Sequence, residues 1–399
     1  MDCWLSKPKG TPKMQRQTNP SINAHLLRGA LILLSLVATC MTPFALVGGM
    51  SGGRGNTNAI QTAVGGATPT PSGSPCAVRA YIPNSSSNNV SVIDTSTNTV
   101  VATVSVGANP QGVAVNPAGT RAYITNGASD TVSVIDTSTN TVVATVPVGD
   151  NPQGVAVNPV GTLAYVANFS SNDVSVIDTA TNTVVTTIPV GETGPIGTAV
   201  NPEGTRAYIT STYSNNLSVI DTSTNTVVAT VPVGINEVGV AVNPVGPFAY
   251  VVKYNGTVSV FYTGTNTVVA TIRLPGNGSF GVAVNPAGTY AYVANRGNNR
   301  VSVIDTVTNS VTASIPVGEV PSGVAVNPAG TLAYVANSAD NTVSVIDTST
   351  NTVAATVDVG HGPVALGNFI GAVPVCLGGT PPPRRTATPR PHPTLPPRP

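Results

Sequence analysis

Few side chains in this sequence could do acid–base or covalent chemistry. Three histidines occur in 399 residues; His25 and His392 lie near the ends, and only His361 lies in the body of the chain. A histidine-rich zinc site or a Cys–His nucleophile needs several such groups at one point, so neither is expected. No Cys-x-x-Cys-His attachment sequence for haem occurs. The remaining kernel for hydrolysis is His361 with Glu192, Glu237 or Glu319, an acid and a base held by different loops. Six aspartates, Asp94, Asp136, Asp178, Asp221, Asp305 and Asp347, each end a short apolar run and precede a polar turn. Calcium needs several oxygens converging, and one acid per turn does not supply them. These aspartates read as turn caps. The reading expects neither a metal nor a cofactor.

The elements that must position these groups are strands. Tyr81, Tyr123, Tyr165, Tyr208, Tyr250, Tyr292 and Tyr334 are spaced by 42, 42, 43, 42, 42 and 42 residues. A fixed period of this length marks a repeat architecture. In one period, Gly112–Asn116 is an apolar run stopped by Asn116-Pro-Ala-Gly119, because Pro117 cannot donate to a ladder. Further strands are expected at 122–126, 132–135 and 142–148, with polar turns between them. Four meandering strands per period make a propeller blade, and seven tyrosines make seven blades. The repeats begin in mid-period at residues 77–81 and end with an extra apolar piece, residues 363–370. That piece is expected to supply the innermost strand of the first blade. The fold class is therefore all-β, a seven-bladed propeller of four-stranded antiparallel blades closed by a C-terminal strand.

Function is sought where the repeats break their own pattern. The fifth carries Lys253 and Tyr254, and Phe261-Tyr262 in place of Ile-Asp; the third has Phe169, the fourth Tyr213, the sixth Arg296 and Arg300. Phe169, Tyr213, Lys253, Tyr254, Arg296 and Arg300 fall at the end of a second strand or in the loop after it. His361 lies in the loop into the closing strand. These loops share one face of the ring. Aromatics and cations on an acidic ring fit an anionic ligand, a cell-surface glycan or peptide. The plainer reading is drift in loops that tolerate change.

Ala-Tyr-Ile-Thr-Asn126, Ala-Tyr-Val-Ala-Asn168 and Ala-Tyr-Val-Ala-Asn337, each after an Asn-Pro-x-Gly turn and before Val-Ser-Val-Ile-Asp, resemble the YVTN-type seven-bladed propeller repeats of bacteria and archaea. The resemblance covers about residues 77–370. It implies an exported or surface protein, and it does not choose between binding and catalysis, since related propellers include lactonases and redox enzymes.

Residues 76–376 hold 7 Lys+Arg against 15 Asp+Glu, a net −8, while the flanks are basic. An acidic ring is not a nucleic-acid binder. The sequence divides into a basic region 1–29, an apolar segment 30–50, a Gly/Ser/Thr/Pro linker 51–75, the propeller 76–376 and a basic proline-rich tail 377–399. Residues 30–50 read as a signal peptide or membrane anchor; Cys40 leaves lipidation open. Each alternative places the propeller outside the cytoplasm, as a monomer that meets the membrane only through this segment. Cys76 and Cys376 frame the ring and are expected to form a disulfide. The resulting expectation is an exported, non-enzymatic binding or surface scaffold. The alternative is a lactonase-like hydrolase with its site at the central channel.

Overall fold

The structure is a computed structural model that describes residues 78–191 and 193–372. The described residues form seven four-stranded antiparallel sheets. In blade 2 the strands are Pro110–Val115, Arg121–Asn126, Thr131–Asp136 and Thr141–Pro147, from the axis outward. The innermost strands of blades 3 to 7 are Pro152–Val157, Pro195–Val200, Glu237–Val242, Ser279–Val284 and Pro321–Val326. The expected strands of the period are present, with ends shifted by no more than two residues.

The tyrosines are buried between blades. The Tyr334 hydroxyl donates to Asn98 Oδ1 in blade 1 at 2.9 Å, and Tyr81 and Tyr165 reach Asn140 and Asn225 of the following blades at 3.4 Å. Burial raises the hydroxyl pKa of Tyr81, Tyr165, Tyr292 and Tyr334 to about 12. Each recipient asparagine sits in a left-handed turn, at φ 53–54°, a conformation its short side chain tolerates.

The ring is tight at its axis. The third residue of each innermost strand in blades 2 to 7 is glycine, and a Cβ there would strike a carbonyl of the next inner strand, 2.5 Å away for Gly239 against Phe280. Neighbouring inner strands therefore meet backbone to backbone. The outermost strands are mostly exposed rather than apolar on both faces, each with one well-buried residue such as Val146 or Ile188. All seven carry a bulge; in blade 2, Val134 pairs Ala144 but Ile135 pairs Val142. A bulge twists an edge away from further pairing.

The C-terminal strand closes blade 1, but it is shorter than the expected 363–370 and lies at the end of that piece. Regular pairing covers Ile370–Ala372 against Val78–Ala80. Pro363 already faces Asn84, as Pro110 faces Asn126. From there seven steps lead to Ile370 opposite Ala80, where five lead from Pro110 to Val115 opposite Ala122. The excess is absorbed at Ala365 and Gly367, both at positive φ (54° and 115°). Leu366 leaves the ladder, and its carbonyl accepts the Val113 amide of blade 2 at 2.8 Å. Cys76, Cys376, Glu192, the segment 30–50, the linker and the tail lie outside the described residues.

Candidate functional site

Two concentric circles of positions surround one end of the channel. The inner circle is the second residue of each innermost strand: Gln111, Gln153, Ile196, Val238, Phe280, Ser322 and, from the closing segment, Val364. The outer circle is the first residue after each second strand: Ser85, Gly127, Phe169, Thr212, Tyr254, Arg296 and Ser338. Each outer-circle amide donates to the incoming loop of its own blade, as Phe169 does to Asn151 (3.1 Å), Tyr254 to Asn236 and Arg296 to Gly278 (both 2.9 Å). The backbone is thus nearly sevenfold symmetric while the side chains are not. Blades 3 to 6 carry the large residues; blades 7, 1 and 2 carry mostly small or polar ones.

The large residues meet. Ile196, Val238, Val364 and Leu366 form a buried apolar cluster, with Phe169 and Phe280 packed against it. Tyr213, 68 % exposed, stands edge-on to Phe169 with ring centroids 5.7 Å apart. The Arg296 guanidinium lies 3.3 Å from the Phe280 ring centroid, a cation–π contact. Burial lowers the Arg296 pKa to about 10, opposed by nearby Tyr254, so it stays charged at neutral pH. Beneath this floor is a cavity of about 30 Å³, lined by glycines, valines, Thr198 and Leu366. It has room for a water or two and no organic ligand. A ligand must sit on the mouth, not in the channel.

The structure divides the sequence-selected residues. Phe169, Tyr213, Tyr254 and Arg296 line the mouth or its rim. Lys253, expected as a surface cation, is 6 % exposed. Its Nζ donates to Ser259 Oγ (2.8 Å) and the Val233 carbonyl (2.9 Å). It stands where Asn126, Asn168, Asn295 and Asn337 donate to the matching serines. Its cross-strand partner is Glu237, fully buried where blades 2 to 4 have proline. Burial lowers the Lys253 pKa, and the Glu237 charge opposes that shift. Arg300 turns to the outer strand, donating to the Ser314 carbonyl at 3.0 Å. Phe261 is core, edge-on to Tyr208.

Of the residues of the hydrolytic alternative, Glu192 lies outside the described residues, Glu237 is buried, and His361 and Glu319 stand on separate loops. The His361 side chain is exposed and its backbone is tied to the first blade through Ser86 and Ser87. Glu319 is exposed on another loop, its amide donating to Asp340. Among the described residues no three His, Cys, Asp or Glu side chains are grouped to hold a metal ion. The six aspartates cap turns at the opposite end of the ring: Asp136 Oδ1 accepts from Ser138 N (2.9 Å), Ser138 Oγ (2.5 Å) and Thr139 N (3.2 Å). Those bonds hold the Asp136 carboxyl below its ordinary pKa, with a smaller contribution from Arg121.

Residues 189–361 match the family model described as lactonase, 7-bladed beta-propeller. Within the match lie Ile196, Tyr213, Val238, Tyr254, Phe280 and Arg296, most of the asymmetric mouth. The chain is also similar to a solved structure of Kuenenia stuttgartiensis hydrazine synthase, at 27% identity and TM-score 0.63, over 72% of this chain and 99% of that one. A functionally unknown protein from Desulfotomaculum acetoxidans DSM 771 aligns over the same shares at 15% identity and TM-score 0.60, a likeness of fold. No curated protein matches. The inner circle was missed from sequence. Ile196, Val238 and Phe280 read as ordinary strand residues, and the available signal was that the second position of each first strand varies while its neighbours repeat.

Proposed function

We propose that this propeller handles a small-molecule ligand at the channel mouth over blades 3 to 6, outside the cytoplasm. The observation that carries this is the break in sevenfold symmetry. Two circles of positions that are mostly small or polar elsewhere become mostly apolar, aromatic or cationic on one arc, which Val364 and Leu366 of the closing segment extend. Drift alone would scatter such changes, whereas these converge on one floor.

Within that reading, hydrolysis of a lactone fits the comparisons better than a purely non-enzymatic scaffold role, because the lactonase-family match spans most of the arc. The group available for it at the mouth is the Arg296 cation, able to stabilise developing negative charge, while Glu237 and Lys253 are buried and act only through their neighbours. The scaffold reading is favoured by one feature: His361 and Glu319 are exposed in separate loops away from the arc. The deciding experiment is a pH-stat assay of the full chain on a panel of γ- and δ-lactones. Ring opening above the blank, lost in Arg296→Gln, is the expected result. Absence of turnover, with saturable binding on a glycan or peptide array, would return the assignment to a scaffold.

A further inference from the structure

The Arg296 side chain is the least explained group at the mouth. Its Nε is buried without a hydrogen-bond partner. The ion pairs among the described residues join Arg121 to Asp136 and Arg206 to Asp221, and Arg296 has none. A guanidinium presents five donors in a planar fork, and a buried polar group without a partner is costly. One face of this fork is occupied by Phe280. Its Nε is the donor that remains to be satisfied.

Beside the fork lies an uncharged floor of Ile196, Val238, Val364 and Leu366. A ligand that satisfies both must carry a planar anion at one end and an apolar body next to it. A sugar would cover the floor with hydroxyls that find no partners there. A free inorganic anion would leave the partly exposed Phe169 and Phe280 rings packed on that floor uncovered. The small cavity beneath excludes any body that must thread the channel.

We infer that the mouth binds an amphipathic monocarboxylate, its carboxylate on the Arg296 guanidinium and its apolar body across the floor beside Phe280. This deepens, and rests on, the channel-mouth reading. The two fit together chemically: opening a lactone yields a hydroxycarboxylate, so the same fork would hold the product.

Calorimetric titration of the full chain with octanoate and with octanamide tests it, since the two differ in charge and share a body. Octanoate is expected to bind about tenfold or more tighter than octanamide. Arg296→Gln should erase that preference, and Arg296→Lys should keep part of it, with melting curves confirming that both variants fold. Equal affinities for the two probes, no binding of octanoate, or a preference that survives Arg296→Gln overturns the carboxylate inference. Ile196→Asn separates the underlying reading. It should weaken both probes, and if both bind and neither responds, the channel-mouth site itself fails.

Discussion

Lys253 and Glu237 replace an asparagine and a proline at one cross-strand position of blade 5. Each is buried, and neither charge is favoured there without the other. Lys253→Asn alone is therefore expected to lower stability by about 3 kcal/mol, because it removes a cation that the Glu237 carboxylate is coupled to. The double variant Glu237→Pro/Lys253→Asn restores the Pro110/Asn126 arrangement of blade 2. It should fall within about 1 kcal/mol of the parent, or above it. Strictly additive losses in denaturant melts would contradict the pairing. The pH dependence has a definite sign. A lysine whose pKa is lowered on folding binds fewer protons than in the unfolded chain, so its cost is present at neutral pH and is relieved as pH rises towards 10.5. Val320 is a second residue at odds with its place. It adopts φ 53° where the matching loop positions hold Asn109, Asn151 and Asn236. A β-branched side chain is strained there. Val320→Asn should stabilise by about 1 kcal/mol, and a lower melting temperature would show that the strain is compensated by contacts of the valine.

The ladder of tyrosines and the ring of glycines are what turn seven separate sheets into one ring. With hydroxyl pKa values near 12, the ladder tyrosines Tyr81, Tyr165, Tyr292 and Tyr334 should ionise well after exposed phenols in a spectrophotometric titration. A raised folded pKa means stability is complete below pH 10 and is lost as pH rises towards 12. Alkaline unfolding should begin in that window. Ionisation of every tyrosine near pH 10 with the fold intact would contradict their burial between blades. These elements were legible in the sequence because each period repeats the same local chemistry: an Asn-Pro-x-Gly stop, a strand, a polar turn. Lys253 was misplaced because a lysine at a strand end reads as exposed. The cue to its burial was the recurring pair Asn126 and Ser133, which Lys253 and Ser259 continue. The inner circle was illegible for another reason. Alternation along a strand says that a residue faces inward or outward, but only closure of the ring makes the second position of every innermost strand converge on one axis.

Closure of the whole molecule depends on the segment from Pro363 to Ala372, which both completes blade 1 and inserts Leu366 beneath the mouth. Deleting residues 363–376 should cost far more stability than deleting 380–399; equal melting temperatures would contradict this closure. Cys76 lies two residues before Val78, and Cys376 four residues after Ala372, and Val78 and Ala372 are paired across the seam. A Cys76–Cys376 disulfide is therefore expected in the oxidised mature protein, adding up to about 5 kcal/mol in a chain-entropy account. Free thiols at both positions by mass spectrometry of non-reduced protein would refute it. The seam and the apolar floor of the mouth share the closing segment, which links stability of the ring to the shape of that floor. The most direct test of that site is a crystallographic fragment screen of the full chain. The fragments should cluster on one arc of one face, over Phe169, Phe280 and Arg296, leaving the sides of blades 1, 2 and 7 bare. Fragments gathered instead at the aspartate turns of the opposite face, or along the outer edge strands, would contradict the account.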